Sequence, residues 1–107
     1  MSEVLLLLSN LPDEASAGVL AAHLVEHRLA ACVNQLAPCR SVYRWQGQVE
    51  QASEIPLLIK TTRERYAAVE AAVRELHPYD VPELIAVPIE LGLSAYLSWV
   101  AQECTPE

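Results

Sequence analysis

Apolar and polar residues follow two rhythms along this chain, one with a period of about 3.6 and one of about 2. The two alternate. Val4-Leu5-Leu6-Leu7-Leu8 is a continuous apolar run that reads as a buried strand. Pro12-Asp13-Glu14 then opens a helix, since proline suits the first turn and acids favour the positive end of the dipole. That helix is predicted to about Ala30, with Ala17, Leu20, Ala21, Leu24 and Leu29 on its buried side. From Ala31 to Thr61 helical spacing disappears, and two extended runs flank Trp45-Gln46-Gly47-Gln48. Gly47 can take the positive φ that a tight hairpin turn requires. In the first arm Ser41, Tyr43 and Trp45 share one face, while Arg40, Val42 and Arg44 share the other. In the second arm Ile55, Leu57 and Ile59 point together. Pro38 and Pro56 interrupt the arms and predict bulges or an edge position.

Helical rhythm returns after Thr61. Thr61-Thr62-Arg63-Glu64 has the form of a capping box, with Thr61 as N-cap and Glu64 reaching back. Tyr66, Val69, Val73 and Leu76 then form one apolar stripe. The helix must stop near His77, because Pro78 disfavours helical geometry in the residue before it. Leu84–Leu91 reads as a further strand, made an edge or bulged strand by Pro88 and broken by Gly92. Ser94 is placed to cap a short terminal helix carrying Tyr96, Leu97, Trp99 and Val100. The order is βαββαβ plus a C-terminal helix, an α+β, ferredoxin-like split β-α-β plan in a single domain over residues 1–107.

The hairpin arms are too long for a lone subunit. Fifteen residues at ~3.3 Å each would span roughly 50 Å, against a usual strand of ~17–20 Å. The arms must bend back or project, and projecting apolar strands need a partner. Composition agrees, since 52% of residues are hydrophobic and 20% charged. The formal net charge of −7 disfavours phosphate backbones, so no nucleic-acid partner is expected. Cys32, Cys39 and Cys104 are odd in number and lack zinc or CxxC spacing, which reads as reduced thiols in the cytoplasm. The apolar run at Val4–Leu8 is too short for a membrane span or a secretory signal.

Several stretches together resemble one known family. "LAACVNQ" at 29–35, "YRWQGQVEQASE" at 43–54, "LLIKTT" at 57–62, "HPYDVPELIAVPI" at 77–89 and "YLSW" at 96–99 are similar to the divalent-cation tolerance (CutA) proteins. The resemblance implies a ferredoxin-like subunit, a homotrimer held partly by the long hairpin, a cytoplasmic location in bacteria, and binding of copper or another divalent cation. In that family a thiol ending the first strand and two consecutive histidines before Pro-Tyr are proposed copper ligands. Here those positions hold Ser9 and the pair Leu76-His77, which leaves His77.

The stretch "HPYDVPE" at 77–83 is the leading candidate for chemistry. As a metal site it offers the imidazole of His77 and the carboxylate of Glu83, both suited to Cu(II) or another divalent cation. Tyr79, Lys60 and Trp45 are then the expected pocket residues. As a plain connection, it places His77 at the carbonyl end of a helix and uses Pro78 and Pro82 to stiffen the route onward. "HLVEH" at 23–27 matches the H-x-x-E-H zinc signature. His23, Glu26 and His27 lie opposite Leu20 and Leu24, however, so they read as a solvated polar stripe. Lys60 is the only lysine and precedes the capping box; it is an anion contact or half of an ion pair. Three glycines form no phosphate loop, and no nucleophile motif is present. The expectation is a non-enzymatic, cation-tolerance homotrimer. A PII-like trimeric sensor, with a small molecule in clefts between subunits, is the alternative. An acylphosphatase-like hydrolase ranks last, since no arginine accompanies Asn10 near the first strand.

Overall fold

The computed structural model describes residues 3–106. Its elements are β1 (Val4–Leu11), α1 (Glu14–Glu26), β2 (Cys32–Gln35), β3 (Cys39–Trp45), β4 (Gln48–Thr62), α2 (Tyr66–Leu76), β5 (Ile85–Pro88) and α3 (Ser94–Glu103). The strands form an antiparallel sheet in the order β2-β4-β1-β5, with β3 paired to the far half of β4. This is the expected ferredoxin-like plan, with the first hairpin arm divided into β2 and β3.

The sheet is half covered. Odd-numbered residues of β1 and β4, among them Leu5, Leu7, Leu57 and Ile59, face α1 and α2 and pack with Leu20, Leu24, Val69 and Val73. A fully enclosed leucine such as Leu7 contributes about 1.5–3 kcal/mol by leaving water. A smaller cluster of Val4, Ala31, Val100 and Cys104 seats α3. On the opposite face Leu6 pairs with Val87, and Leu8 pairs with Ile85 and Leu58. None of the described residues covers them fully: Val87 is 46% exposed and Ile85 55% exposed.

The two interrupting prolines have a common effect. Gln35 pairs with Leu57 and Cys39 with Glu54, so four steps along one arm match three along the other. The first arm therefore carries one extra residue at 36–38, a bulge where Pro38 needs no ladder partner. Pro56 lies opposite that gap, and its carbonyl accepts from the Leu36 amide at 3.0 Å. A strand residue's N–H and C=O point to the same side, so the donor that Pro56 lacks would have faced the gap as well. β4 thus runs straight through its proline. At the far end Gln46 (φ 50°) and Gly47 (φ 80°) form the tight turn that the sequence predicts.

Four boundaries differ from expectation. α1 ends at Glu26, because Arg28 adopts φ 57° and the Leu29 and Ala30 amides both return to the Leu24 carbonyl; Ala21 is only half-buried. The capping box does not form: Thr61 remains in β4, and its hydroxyl donates to the Leu29 carbonyl at 2.6 Å. A short 3-10 turn at Arg63–Arg65 leads into α2 instead, without a side-chain cap. β5 covers Ile85–Pro88 alone, and Ser94 begins α3 inside the helix, with Leu93 at the cap.

Candidate functional site

α2 stops at Leu76, and His77 is extended (φ −77°, ψ 134°) as Pro78 demands. The imidazole then folds back against the end of β1. Its Nδ1 accepts from the Tyr79 amide at 3.2 Å, and an amide can only donate, so the proton sits on Nε2 and bonds the Asn10 carbonyl at 2.7 Å. His77 is 6% exposed. The Asn10 side chain donates to Glu83 Oε1 at 3.1 Å, and Ser9 Oγ donates to the Glu83 carbonyl at 2.7 Å. The end of strand β1 therefore grips both ends of the 77–83 connection.

Between those ends the chain bows outward toward the hairpin. Tyr79 packs near the His77 ring, with centroids 4.9 Å apart, and its hydroxyl donates to Glu54 Oε2 at 3.0 Å. Burial, then the bond to Glu54 and its charge, pushes the phenol up to about 12. Glu54 itself is 7% exposed. The bow and the hairpin enclose a cavity of about 730 Å³. Tyr43 and Trp45 of β3, Glu54 of β4, Asn10 of β1, and Tyr79 and Glu83 of the connection form most of its wall. That volume falls within the ~300–1,000 Å³ usual for small-molecule sites.

Of the residues singled out from sequence, Tyr79, Trp45 and Glu83 meet at this cavity, and His77 supports it from behind. Lys60 does not belong to it. It stands six residues from Glu54 on β4, about 20 Å along a strand; its Nζ donates to Asn34 Oδ1 and lies 4.0 Å from Cys32 Sγ. Glu54, Asn10 and Tyr43 are the wall residues that sequence reading did not select. Glu54 offered one signal, a carboxylate adjoining the apolar run Ile55–Ile59 within a strand.

The same geometry bears on metal binding. Among the described residues no three His, Cys, Asp or Glu side chains converge as an ion's ligand set. A metal on the His77 ring must first displace the Tyr79 amide from Nδ1. Ser9 is 1% exposed with its hydroxyl committed, and Leu76 packs against the core. On α1 the His23 and His27 rings stack with centroids 4.1 Å apart, and His27 Nδ1 lies 3.0 Å from the His23 carbonyl, to which it donates. All three cysteines are free thiols, and burial pushes the Cys104 thiol up.

Comparison with known proteins decides the family. The model of the CutA1 divalent ion tolerance protein matches residues 5–103. This chain belongs to the CutA1 family. The divalent-cation tolerance protein CutA of Thermus thermophilus is 45% identical over 102 residues, covering 95% of this chain and 97% of that protein. Human protein CutA is 45% identical over 91 residues, 85% of this chain and 51% of its own length. Among solved structures, CutA from Xylella fastidiosa superposes with a TM-score of 0.94 at 46% identity, covering 97% of this chain and 100% of that one. The periplasmic divalent cation tolerance protein CutA from Archaeoglobus fulgidus gives 0.92 at 34% identity, covering 95% and 99%. The CutA1 fold thus accounts for the sheet order, and among the described residues no helix is long and apolar enough to cross a membrane.

Proposed function

We propose that the chain is a cytoplasmic homotrimer that serves cation tolerance by binding divalent ions rather than by catalysis. The observation that carries this reading is the chain of contacts His77–Asn10–Glu83. It sets the one imidazole at the family's proposed ligand positions behind a carboxylate that opens onto a cavity. Glu83 is the first oxygen donor, and His77 joins once Nδ1 exchanges the Tyr79 amide for the ion. Leaving that amide unpaired costs on the order of 1–3 kcal/mol, so Cu(II) binding is modest. Water or a neighbouring subunit completes the coordination.

Association is supported by the uncovered sheet face. Leu6, Leu8, Leu58, Ile85 and Val87 form a patch that a second copy would remove from water. The number three comes from the family resemblance. Sedimentation equilibrium at micromolar concentration tests it, and a monomer mass would overturn it. Cytoplasmic location rests on the three free thiols.

For the metal, calorimetry should compare the parent with His77→Ala, Glu83→Gln and a His23→Ala/His27→Ala double variant. Loss of binding in the first two supports the reading. Full binding by His77→Ala, together with none by the double variant, assigns the copper to α1 and sinks it.

A second reading, a PII-like sensor with ligand at clefts between subunits, is favoured by the 730 Å³ cavity. The cavity adjoins the uncovered sheet face through Asn10, which shares that face with Leu6 and Leu8.

A further inference from the structure

We propose that the cavity between the hairpin and the 77–83 connection takes a small organic cation, an aliphatic or quaternary ammonium. This rests on the second reading above, that the cavity is a ligand site, and names the ligand's class. The charge of the wall is one-sided. Glu54, Asp80 and Glu83 contribute carboxylates, and among the described residues no lysine, arginine or histidine lines the space. Glu54 is more than nine-tenths buried, yet its hydrogen-bond partner among the described residues is a neutral phenol. A carboxylate held out of water without a counter-charge is unfavourable, and a cation entering the cavity relieves it.

The remaining walls are aromatic. Tyr43 and Trp45 are two residues apart on one strand, so they present their rings to the same side, with Tyr79 on the facing segment. Both are partly open to solvent, at 42% and 44% exposure. Rings and carboxylates together select against the other ligand classes. An organic anion would be repelled by all three acids. A bare metal ion gains nothing from the ring faces, and His77, its nitrogen donor in the first reading, is not among the residues that line this space. A quaternary ammonium is weakly hydrated and can rest against the ring faces, and a primary alkylammonium lays its chain there and donates its N–H groups to Glu54.

The test is calorimetry on the full chain with 1,5-diaminopentane and tetramethylammonium as cationic probes and benzoate as the anionic one. The expected result is saturable binding of a cationic probe, one per chain, that survives salt at ~150 mM. Glu54→Gln should weaken it by about tenfold or more, because the buried charge is gone while the shape remains. Trp45→Ala should also weaken it, and Glu26→Gln on the exposed side of α1 should not. Circular dichroism of each variant checks that it folds. Tyr79→Phe keeps the ring and frees Glu54, so it should bind at least as well as the parent. Binding that Glu54→Gln leaves unchanged, or that disappears at moderate salt, overturns the proposal as mere attraction to an acidic surface. Benzoate binding abolished by Trp45→Ala would keep the cavity as a ligand site and refute the cation. If none of the three probes binds, both the cation and the sensor reading fall.

Discussion

The hydroxyl of Tyr79 meets the carboxylate of Glu54 at 3.0 Å, joining the loop after α2 to the middle of β4. The phenol is pushed up to about 12, so the folded chain holds this proton more tightly than the unfolded chain does. Stability from the contact is therefore full below the unfolded value of ~10 and lost as pH rises through about 12. Tyr66 and Tyr96 are also raised by burial, so ultraviolet titration of tyrosinate should show a spread of transitions whose latest is the one that Tyr79→Phe removes. Glu54→Gln should bring that transition to lower pH, because burial remains but the carboxylate does not.

His77→Ala should destabilise the chain. Both ring nitrogens are used by backbone groups, and the truncation leaves the Asn10 carbonyl and the Tyr79 amide without their partner. The expected loss is about 2–4 kcal/mol, read from the urea midpoint. A change below about 0.5 kcal/mol would mean that water satisfies both groups, and the ring is then free for a metal.

At the hairpin tip, Gly47→Val should cost about 1–2 kcal/mol, since φ 80° is strained for a β-branched residue. Gln46→Asn should instead stabilise slightly, because Asn tolerates the left-handed φ of 50° better than Gln. Guanidinium unfolding of the two variants should move in opposite directions. Among the described residues none but the two chain neighbours would come within 4 Å of a Cβ at Gly47, so the effect is one of backbone conformation and not of crowding.

Val87→Asp should abolish self-association. The residue pairs with Leu6 on the uncovered face and is 46% exposed in a single chain, so the substitution leaves the helix-side core untouched. In the assembly it would bury a carboxylate without a partner, at a cost of several kcal/mol. Sedimentation should give the monomer mass with native circular dichroism. A multimer of unchanged mass would place the interface elsewhere.

What the sequence disclosed and what it hid follow from range. The turn at Gln46–Gly47, the stop of α2 before Pro78 and the stripe Val69–Val73 depend on neighbours a few residues away, and all stand as expected. The capping box failed because Thr61 answers a carbonyl 32 residues distant, and a local motif gives no notice of that competitor. α1 ended early for a similar reason. Arg28 leaves helical geometry and carries its guanidinium to the carbonyls of Gln102 and Thr105, at the far end of the chain. At the site, Tyr79, Trp45 and Glu83 were legible as unusual residues in a short link or a turn. Lys60 looked equally unusual and proved to serve β2 through Asn34. Glu54 escaped notice because its burial depends on Tyr79, which only the folded sheet brings near.

The strand pairing described above also sets the order of events in folding. β3 and β4 close around a two-residue turn, a step of about 1–10 μs for an isolated hairpin. β1 must find β4 across a far longer stretch, from Leu11 with Ile55 to Val4 with Thr62. Such non-local closure is slow, because chain entropy is lost before any contact compensates for it. The hairpin therefore forms ahead of the rest of the sheet, and the Ile55–Thr62 edge of β4 stays unpaired until β1 arrives. Within that hairpin the bulge at 36–38 and the missing amide of Pro56 act as a registration mark, since a first arm paired one residue out of step with β4 would meet a position that cannot donate.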